Sequence, residues 1–151
     1  YCDFNSHVRE KISYKKWEEA YLIDLVKYKE YLHNKEIKSI FFGGGTPSLM
    51  PASLVENLLT FIDQNFSLNK KAEISLEANP TSIEIDNFRN LKLAGINRIS
   101  IGIQALNDED LKFLGRNHSS EESLKSLEIA SNNFNNFSFD LIYTRPNQTI
   151  K

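Results

Sequence analysis

Residues 40–48 read Ile-Phe-Phe-Gly-Gly-Gly-Thr-Pro-Ser, a short apolar run followed at once by three glycines. The apolar run favours a β-strand. The glycines predict a tight loop at its end, since glycine adopts backbone angles that other residues avoid. A glycine triplet also lets backbone groups approach a ligand without a Cβ in between. The triplet lacks the spacing of dinucleotide- and nucleotide-binding loops, so phosphate binding is the weaker alternative for it.

Strand and helix patterns alternate on both sides of this loop. Strands are predicted at 38–42, 72–77, 98–103 and 137–143, and helices at 14–33, from Pro51 through Ile62, from Thr81 through Leu91, at 108–114 and from Ser119 through Ile129. Capping boxes at Thr81–Glu84 and Ser119–Glu122 predict two helix starts, and Gly95 predicts a helix end. The alternation predicts an α/β domain with a parallel sheet or barrel.

The first predicted helix, 14–33, carries apolar residues at a spacing of three to four positions, which favours a helix. These residues form one stripe: Trp17, Tyr21, Leu25, Tyr28 and Leu32.

The composition excludes several classes of protein. A net charge of −2 and a pI near 6.0 give no electrostatic reason to expect nucleic acid or an anionic membrane as a partner. No stretch approaches the roughly 20 apolar residues of a transmembrane helix. Cys2 is the only cysteine, which excludes an internal disulfide framework and fits a reducing cytosol. We therefore expect a cytoplasmic protein.

Polar residues stand at the predicted strand ends. Glu77, Gln104 and Asp140 each close or interrupt an apolar strand. In parallel α/β folds the carboxyl ends of the strands share one edge, where ligands bind, so these residues and the glycine loop should be neighbours. Taken singly, Glu77 and Gln104 are equally typical of solvated strand ends. Asp140 lies in an apolar run and is expected to be buried, where a carboxylate needs a partner.

Arg116 is a further candidate, within Gly115-Arg116-Asn117-His118. Its planar fork of donors can hold a carboxylate in two places at once. An isolated arginine is more often an unpaired surface residue, so this position alone decides nothing.

Several segments together resemble the oxygen-independent coproporphyrinogen III oxidase family of the radical S-adenosylmethionine (SAM) superfamily. Their order and spacing match that family over essentially the whole chain. The segments are Tyr1-Cys2-Asp3-Phe4-Asn5-Ser6-His7, Gly43-Gly44-Gly45-Thr46-Pro47-Ser48, Leu76-Glu77-Ala78-Asn79-Pro80, Arg98–Gln104, Leu114–His118 and Phe139–Tyr143. The first segment is more similar to the HemW branch of oxidase-like haem chaperones than to the oxidases themselves.

The resemblance implies a [4Fe–4S] cluster and SAM as cofactors, with haem as a further candidate. It implies that Cys2 is the third thiolate of the cluster loop, its two partners lying upstream, whereas one cysteine alone cannot hold such a cluster. Positions that match the family's SAM contacts are Tyr1, Gly44, Gly45, Thr46, Glu77, Gln104, Arg116 and Asp140. The cluster would supply one electron for the cleavage of SAM, while the protein positions the reactants.

The resemblance also implies a partial (βα) barrel that lacks its first and last strands. Residues 1–151 would be a single incomplete radical SAM domain that starts inside the cluster loop, without the C-terminal domain. The expected function is the SAM-binding core of a haem chaperone, with haem or porphyrin and haem-accepting proteins as partners. The alternatives are the oxidase of porphyrin biosynthesis and an inactive fragment.

One loop departs from the family pattern. Residues 144–149 read Thr-Arg-Pro-Asn-Gln-Thr where the family often has Gly-Leu-Pro-Gly-Gln-Thr. Two glycines are thus replaced by residues with a Cβ, and we expect a change of loop shape near Asp140.

Overall fold

The computed structural model describes residues 12–149, which contain four parallel strands and the helices between them. The strands are β1 (Glu36–Phe42), β2 (Ser67–Ala78), β3 (Arg98–Gln104) and β4 (Asn136–Leu141). The α-helices are α1 (Tyr14–Lys27), α2 (Ala52–Asn65), α3 (Ser82–Leu93), α4 (Asp108–Phe113) and α5 (Ser120–Asn133), and a 3-10 turn spans Pro47–Leu49. The strand order in the sheet is β1-β2-β3-β4, so each strand pairs with the next one along the chain. The predicted parallel α/β fold is confirmed.

The two faces of the sheet differ in chemistry because side chains alternate along each strand. On β3, Ile99, Ile101 and Ile103 are buried in the main core, under the helices. Ser100 and Gly102 lie between them and therefore point to the other face. Across the strands, Ser100 pairs with Glu77 on one side and Ser138 on the other, so this second face is polar.

The core lies between the sheet and helices α2, α3 and α5. Phe88 of α3 is fully buried and meets Phe134, after α5, edge to face at 6.2 Å between ring centroids. Val55 of α2 and Ala130 of α5 complete the contact with the strands. This layer fixes the helices on one face and leaves the polar face open.

The first helix is shorter than expected, and its stripe is not its packed face. α1 ends at Lys27, and Trp17 and Tyr21 are about half exposed, stacked on each other at 5.7 Å. One hydrogen bond to the rest of the domain comes from Tyr14, which donates to the carbonyl of Leu49. α1 packs mainly on α2 and not on the sheet. The apolar stripe in its sequence therefore does not mark a face that is buried in the main core.

Two further boundaries differ from the sequence prediction. β2 begins at Ser67 and not at residue 72, because Ser67 and Leu68 pair with the first residues of β1 before a bulge. The polar residues 69–71 hide this extension in the sequence. β4 ends at Leu141, two residues before the predicted end.

Both helices begin where the predicted capping boxes placed them, but only one of the two boxes is formed. At α5 the capping box is present: Glu122 N–H donates to Ser119 Oγ, and Ser119 N–H donates to the Glu122 carboxylate. At α3 the Thr81 side chain caps no backbone group. Glu84 does not reach back to Thr81 N–H, because its carboxylate is turned inward to other donors. Gly95, at φ +112°, ends α3 as predicted.

Within residues 12–149, no helix has the length and apolar character needed to cross a membrane.

Candidate functional site

The carboxyl ends of the four strands form one edge, which we call the carboxyl edge. It brings together the loop after β1, Glu77 at the end of β2, Gln104 at the end of β3 and Asp140 of β4. Gly44 N–H lies 3.4 Å from the Glu77 carboxylate, which links the first two strand ends. The sequence-predicted neighbours are therefore neighbours in the structure, while their roles remain predictions.

The glycine loop presents bare backbone. Gly44 and Gly45 have φ angles of +82° and +55°, which favour glycine over any residue with a Cβ. A Cβ built at either position would meet nothing within 4 Å, so the space above both residues is open. Thr46 is half-buried and precedes the 3-10 turn, and its carbonyl accepts a hydrogen bond from Leu49 N–H. The loop therefore offers backbone groups to a ligand beside the Glu77 carboxylate.

Gln104 has a strained backbone and an unsatisfied side-chain atom. Its φ is +62°, and it is the central residue of a three-residue turn closed by Ala105 N–H on the carbonyl of Ile103 at 2.8 Å. Its side-chain amide donates to both oxygens of Asp140, at 2.9 and 3.2 Å. The residue is only 4% exposed, and Oε1 has no hydrogen-bond partner within residues 12–149. A buried carbonyl oxygen without a protein donor is a candidate acceptor for a ligand or a water molecule.

Asp140 is not the buried carboxylate that its apolar context predicted. It is exposed, because β4 is the edge strand of the described sheet and Asp140 lies on the open polar face. Its partner is the neutral amide of Gln104 and not a cation. The carboxylate therefore stays accessible at the carboxyl edge.

Arg116 reaches the same edge from the end of α4. Its Nη2 donates to Asn79 Oδ1 at 2.6 Å and to the Gly102 carbonyl at 3.2 Å. The Nε–H is buried and has no partner in the described part of the chain. This Nε–H is thus a donor of the guanidinium that is free for a ligand.

Sequence reasoning missed Asn79 and Gly102, which make room for this arrangement. A Cβ at Gly102 would lie 2.9 Å from Gln104 Nε2 and 3.5 Å from Arg116 Nη2, so only glycine fits there without a shift. The available signal was a glycine that interrupts an isoleucine-rich strand, which is typical of a close approach. Asn79 was named only within the segment Leu76–Pro80 that resembles the family.

His118 is a buried neighbour of Arg116 for which the sequence predicted no role. Its Nε2 contacts the carbonyl of Ile103 at 3.2 Å, which assigns the proton to Nε2. Burial lowers the pKa of His118, and the nearby Arg116 guanidinium lowers it further. The Ile103 carbonyl and the carboxylates of Glu122 and Glu84 oppose this shift without cancelling it. His118 is therefore a neutral hydrogen-bond donor that holds α5 to the end of β3.

The loop after β4 has positive φ angles at two positions that are not glycine. Thr144 and Asn147, which stand where the family often has glycine, have φ angles of +62° and +63°. Arg145 between them donates to the carbonyl of Ile142 at 3.0 Å and forms an ion pair with Asp110 of α4. The expected change of loop shape does not extend to these φ angles, which remain in the left-handed region that favours glycine. Asn tolerates that region, whereas a β-branched residue such as Thr does so at a cost.

Tyr1 and Cys2, the remaining residues of the predicted site, lie outside the described residues.

Comparisons with known proteins agree with the resemblance seen in the sequence. A family profile described as the radical SAM superfamily matches residues 1–151. The heme chaperone HemW of Buchnera aphidicola (subspecies Schizaphis graminum) is 40% identical over 152 residues, and HemW of Escherichia coli is 39% identical over 153 residues. Both alignments cover 100% of this chain and 40% of the relative, so the chain spans well under half the length of these proteins.

One solved structure has the same architecture. The coproporphyrinogen III oxidase HemN of Escherichia coli, described as a radical SAM enzyme, superposes with a TM-score of 0.80 at 29% identity. The match covers 94% of this chain and 33% of that chain.

The loop after β4 generates a first prediction. Thr144→Gly should raise the free energy of unfolding by about 0.5–1 kcal/mol, because it relieves the cost of a β-branched residue at positive φ but loosens the unfolded chain. Asn147→Gly is the matched control and should change stability by less than about 0.5 kcal/mol, since Asn tolerates the left-handed region. Urea denaturation of both variants measures the difference. Equal effects of the two substitutions would contradict the strain at Thr144.

His118 generates a prediction about pH. The folded state lowers its pKa below the usual 6.5, so the unfolded state binds the proton more readily. Stability should therefore fall as pH drops below about 6.5 and be fully present above it. His118→Gln keeps a donor for the Ile103 carbonyl without a titrating ring, and its stability should depend less on pH between about 6.5 and 5. Unfolding free energies across that range with the same slope in both proteins would show that His118 is not responsible.

Proposed function

The chain belongs to the radical SAM superfamily, and we propose that its carboxyl edge binds SAM within the core of a HemW-like haem chaperone. The observation that supports SAM binding is a pair of buried atoms, Gln104 Oε1 and Arg116 Nε, that have no hydrogen-bond partner within residues 12–149. They lie on the carboxyl edge, which also carries the open glycine loop. The haem role is supported by the heme chaperones HemW, which are 39–40% identical over the whole chain.

The donors and acceptors of the edge fit the chemistry of SAM. The exposed carboxylates of Glu77 and Asp140 can accept from hydroxyl or ammonium groups, and the free donor of Arg116 suits a carboxylate. Gln104 Oε1 can accept from an amino group, and the backbone of Gly44 and Gly45 can lie against a flat ring. Polar contacts of this kind fix the orientation of a ligand in its site and provide specificity.

The residues of this chain would bind and orient SAM, and Cys2 with two further cysteines would hold the [4Fe–4S] cluster. When bound, the cluster and SAM together supply one-electron chemistry. We assign haem, and any haem-accepting protein, to parts of the relatives that this chain does not span. A cytoplasmic location accords with the single cysteine and stays part of the proposal.

The oxidase is the second candidate, because the solved HemN structure shares the fold with a TM-score of 0.80. An assay of the full-length protein with SAM and coproporphyrinogen III separates the two readings. Loss of two propionate carboxyl groups from the substrate would favour the oxidase. Haem binding without that reaction would favour the chaperone.

Substitutions at the carboxyl edge test SAM binding. In the full-length protein, Glu77→Ala, Gln104→Ala and Arg116→Ala should each weaken SAM binding by roughly 1–3 kcal/mol, about five- to a hundred-fold, because each removes a polar partner in a partly dry site. Arg116→Ala should have the largest effect, since water does not reproduce the geometry of its donors. Isothermal titration with SAM under anaerobic conditions measures the affinities.

The controls separate SAM from the cluster and from haem. Arg89→Ala removes an exposed arginine of α3 and should leave SAM affinity unchanged. All these variants should keep the absorbance of the cluster, whereas Cys2→Ala should lose it. Haem affinity should stay nearly constant in the three edge variants; a fall in step with SAM affinity would show that the two sites are not separate.

A further inference from the structure

Glu84 is a buried carboxylate without a cationic partner. It is 3% exposed, and no Lys, Arg or His side chain within residues 12–149 forms an ion pair with it. Its Oε2 accepts from Ser48 Oγ and from Asn79 N–H at 2.6 Å, and its Oε1 accepts from Asn79 Nδ2 at 3.3 Å and Thr81 Oγ1 at 3.2 Å. A buried charge is tolerated only where donors replace its water, and here four donors do so.

These contacts determine which way the Asn79 side chain faces. Its amide nitrogen donates to Glu84, so its carbonyl oxygen must point the other way, where it accepts from Arg116 Nη2 at 2.6 Å. The opposite orientation would set an NH2 group against the guanidinium and a carbonyl against the carboxylate. Glu84 therefore selects the orientation of Asn79 that gives Arg116 an acceptor.

The same carboxylate is tied to the segment that follows the glycine loop. Ser48 is fully buried in the 3-10 turn, two residues after Thr46, and donates to Glu84. Asn87, one helical turn further along α3, donates to the backbone carbonyls of Ser48 and Met50. One side chain of α3 thus contacts both the glycine-loop segment and the partner of Arg116.

We propose that Glu84 is a positioning residue for the SAM site and that it acts through Asn79 on Arg116. The inference rests on the proposed binding of SAM at the carboxyl edge. Glu84 has no need to touch SAM itself, since it is buried behind Asn79. It sets where the guanidinium lies and which of its donors stays free for the ligand.

The substitution Glu84→Gln separates this role from the link to the glycine loop. Asn79 N–H needs an acceptor, so the new carbonyl oxygen takes the place of Oε2 and keeps the contact with Ser48. The new NH2 group then faces Asn79 and Thr81. Asn79 must turn its own oxygen toward that group, which leaves its NH2 group against Arg116 and deprives the guanidinium of its acceptor.

A double-mutant cycle in the full-length protein tests the inference, with SAM affinity measured anaerobically by titration calorimetry. Glu84→Gln should weaken SAM binding about five- to fifty-fold, in the range of a lost charge-assisted hydrogen bond. In the Arg116→Ala background the same substitution should change the affinity by less than about two-fold, since residues that act as a unit are not additive. Asp86→Asn, which removes an exposed charge two residues away on α3, is the matched control and should have no effect.

Additive losses in the cycle, or unchanged affinity in Glu84→Gln, would overturn the positioning role. If thermal melting shows that Glu84→Gln does not fold, Asn79→Ala replaces it. This variant keeps Glu84 and removes only the side chain through which Glu84 acts on Arg116. It should weaken SAM binding and add nothing to Arg116→Ala, and unchanged affinity would again refute the inference. If Arg116→Ala itself leaves SAM affinity unchanged, the proposed SAM site is wrong. If Arg116→Ala weakens SAM binding but Glu84→Gln and Asn79→Ala do not, the SAM site is supported and the positioning role of Glu84 is refuted.

Discussion

Parallel pairing of the four strands is the constraint on which the rest of the structure depends. Because all strands run in one direction, their carboxyl ends meet at one edge, and residues up to about a hundred positions apart in the chain become neighbours there. Because side chains alternate along each strand, the isoleucines lie on the face covered by the helices. Serines, a glycine and carboxylates lie on the opposite face. The same backbone regularity thus builds the core and the candidate site.

The site is held by polar contacts that carry structural costs. Gln104 has a positive φ, and the carboxylate of Glu84 is buried away from water. Arg116 and Gln104 each have one buried atom that finds no hydrogen-bond partner in the described part of the chain. Strain and unsatisfied groups of this kind persist where the surrounding structure over-determines them, and they concentrate at functional sites. Here the surroundings are well-packed: the helical layer fixes α3 and α5, and these helices hold Glu84 and lie beside His118.

The sequence was a good guide where one local rule decided the outcome. Apolar runs marked the strands, and the glycine triplet marked the end of the first one. Ser119 and Glu122 marked a helix start, and strand-end positions marked Glu77 and Gln104. It failed where tertiary contacts competed with the local rule. The carboxylate of Glu84 accepts from Ser48 and Asn79 instead of forming a helix cap. The apolar stripe of α1 does not pack on the sheet. Pairing with β1 extends β2 toward its N-terminus. The orientation of Asn79 depends on contacts between its own segment after β2, Glu84 of α3 and Arg116 after α4. No one of these segments alone predicts it.

We propose that Gln104 Oε1 and Arg116 Nε at the carboxyl edge are binding groups for SAM. A crystal structure of the full-length protein with its cluster and SAM would show whether they are. We expect SAM to lie over Gly44 and Gly45, with polar atoms within hydrogen-bond distance of Gln104 Oε1 and Arg116 Nε. SAM bound elsewhere, or bound at this edge without a contact to either atom, would show that these atoms do not bind it.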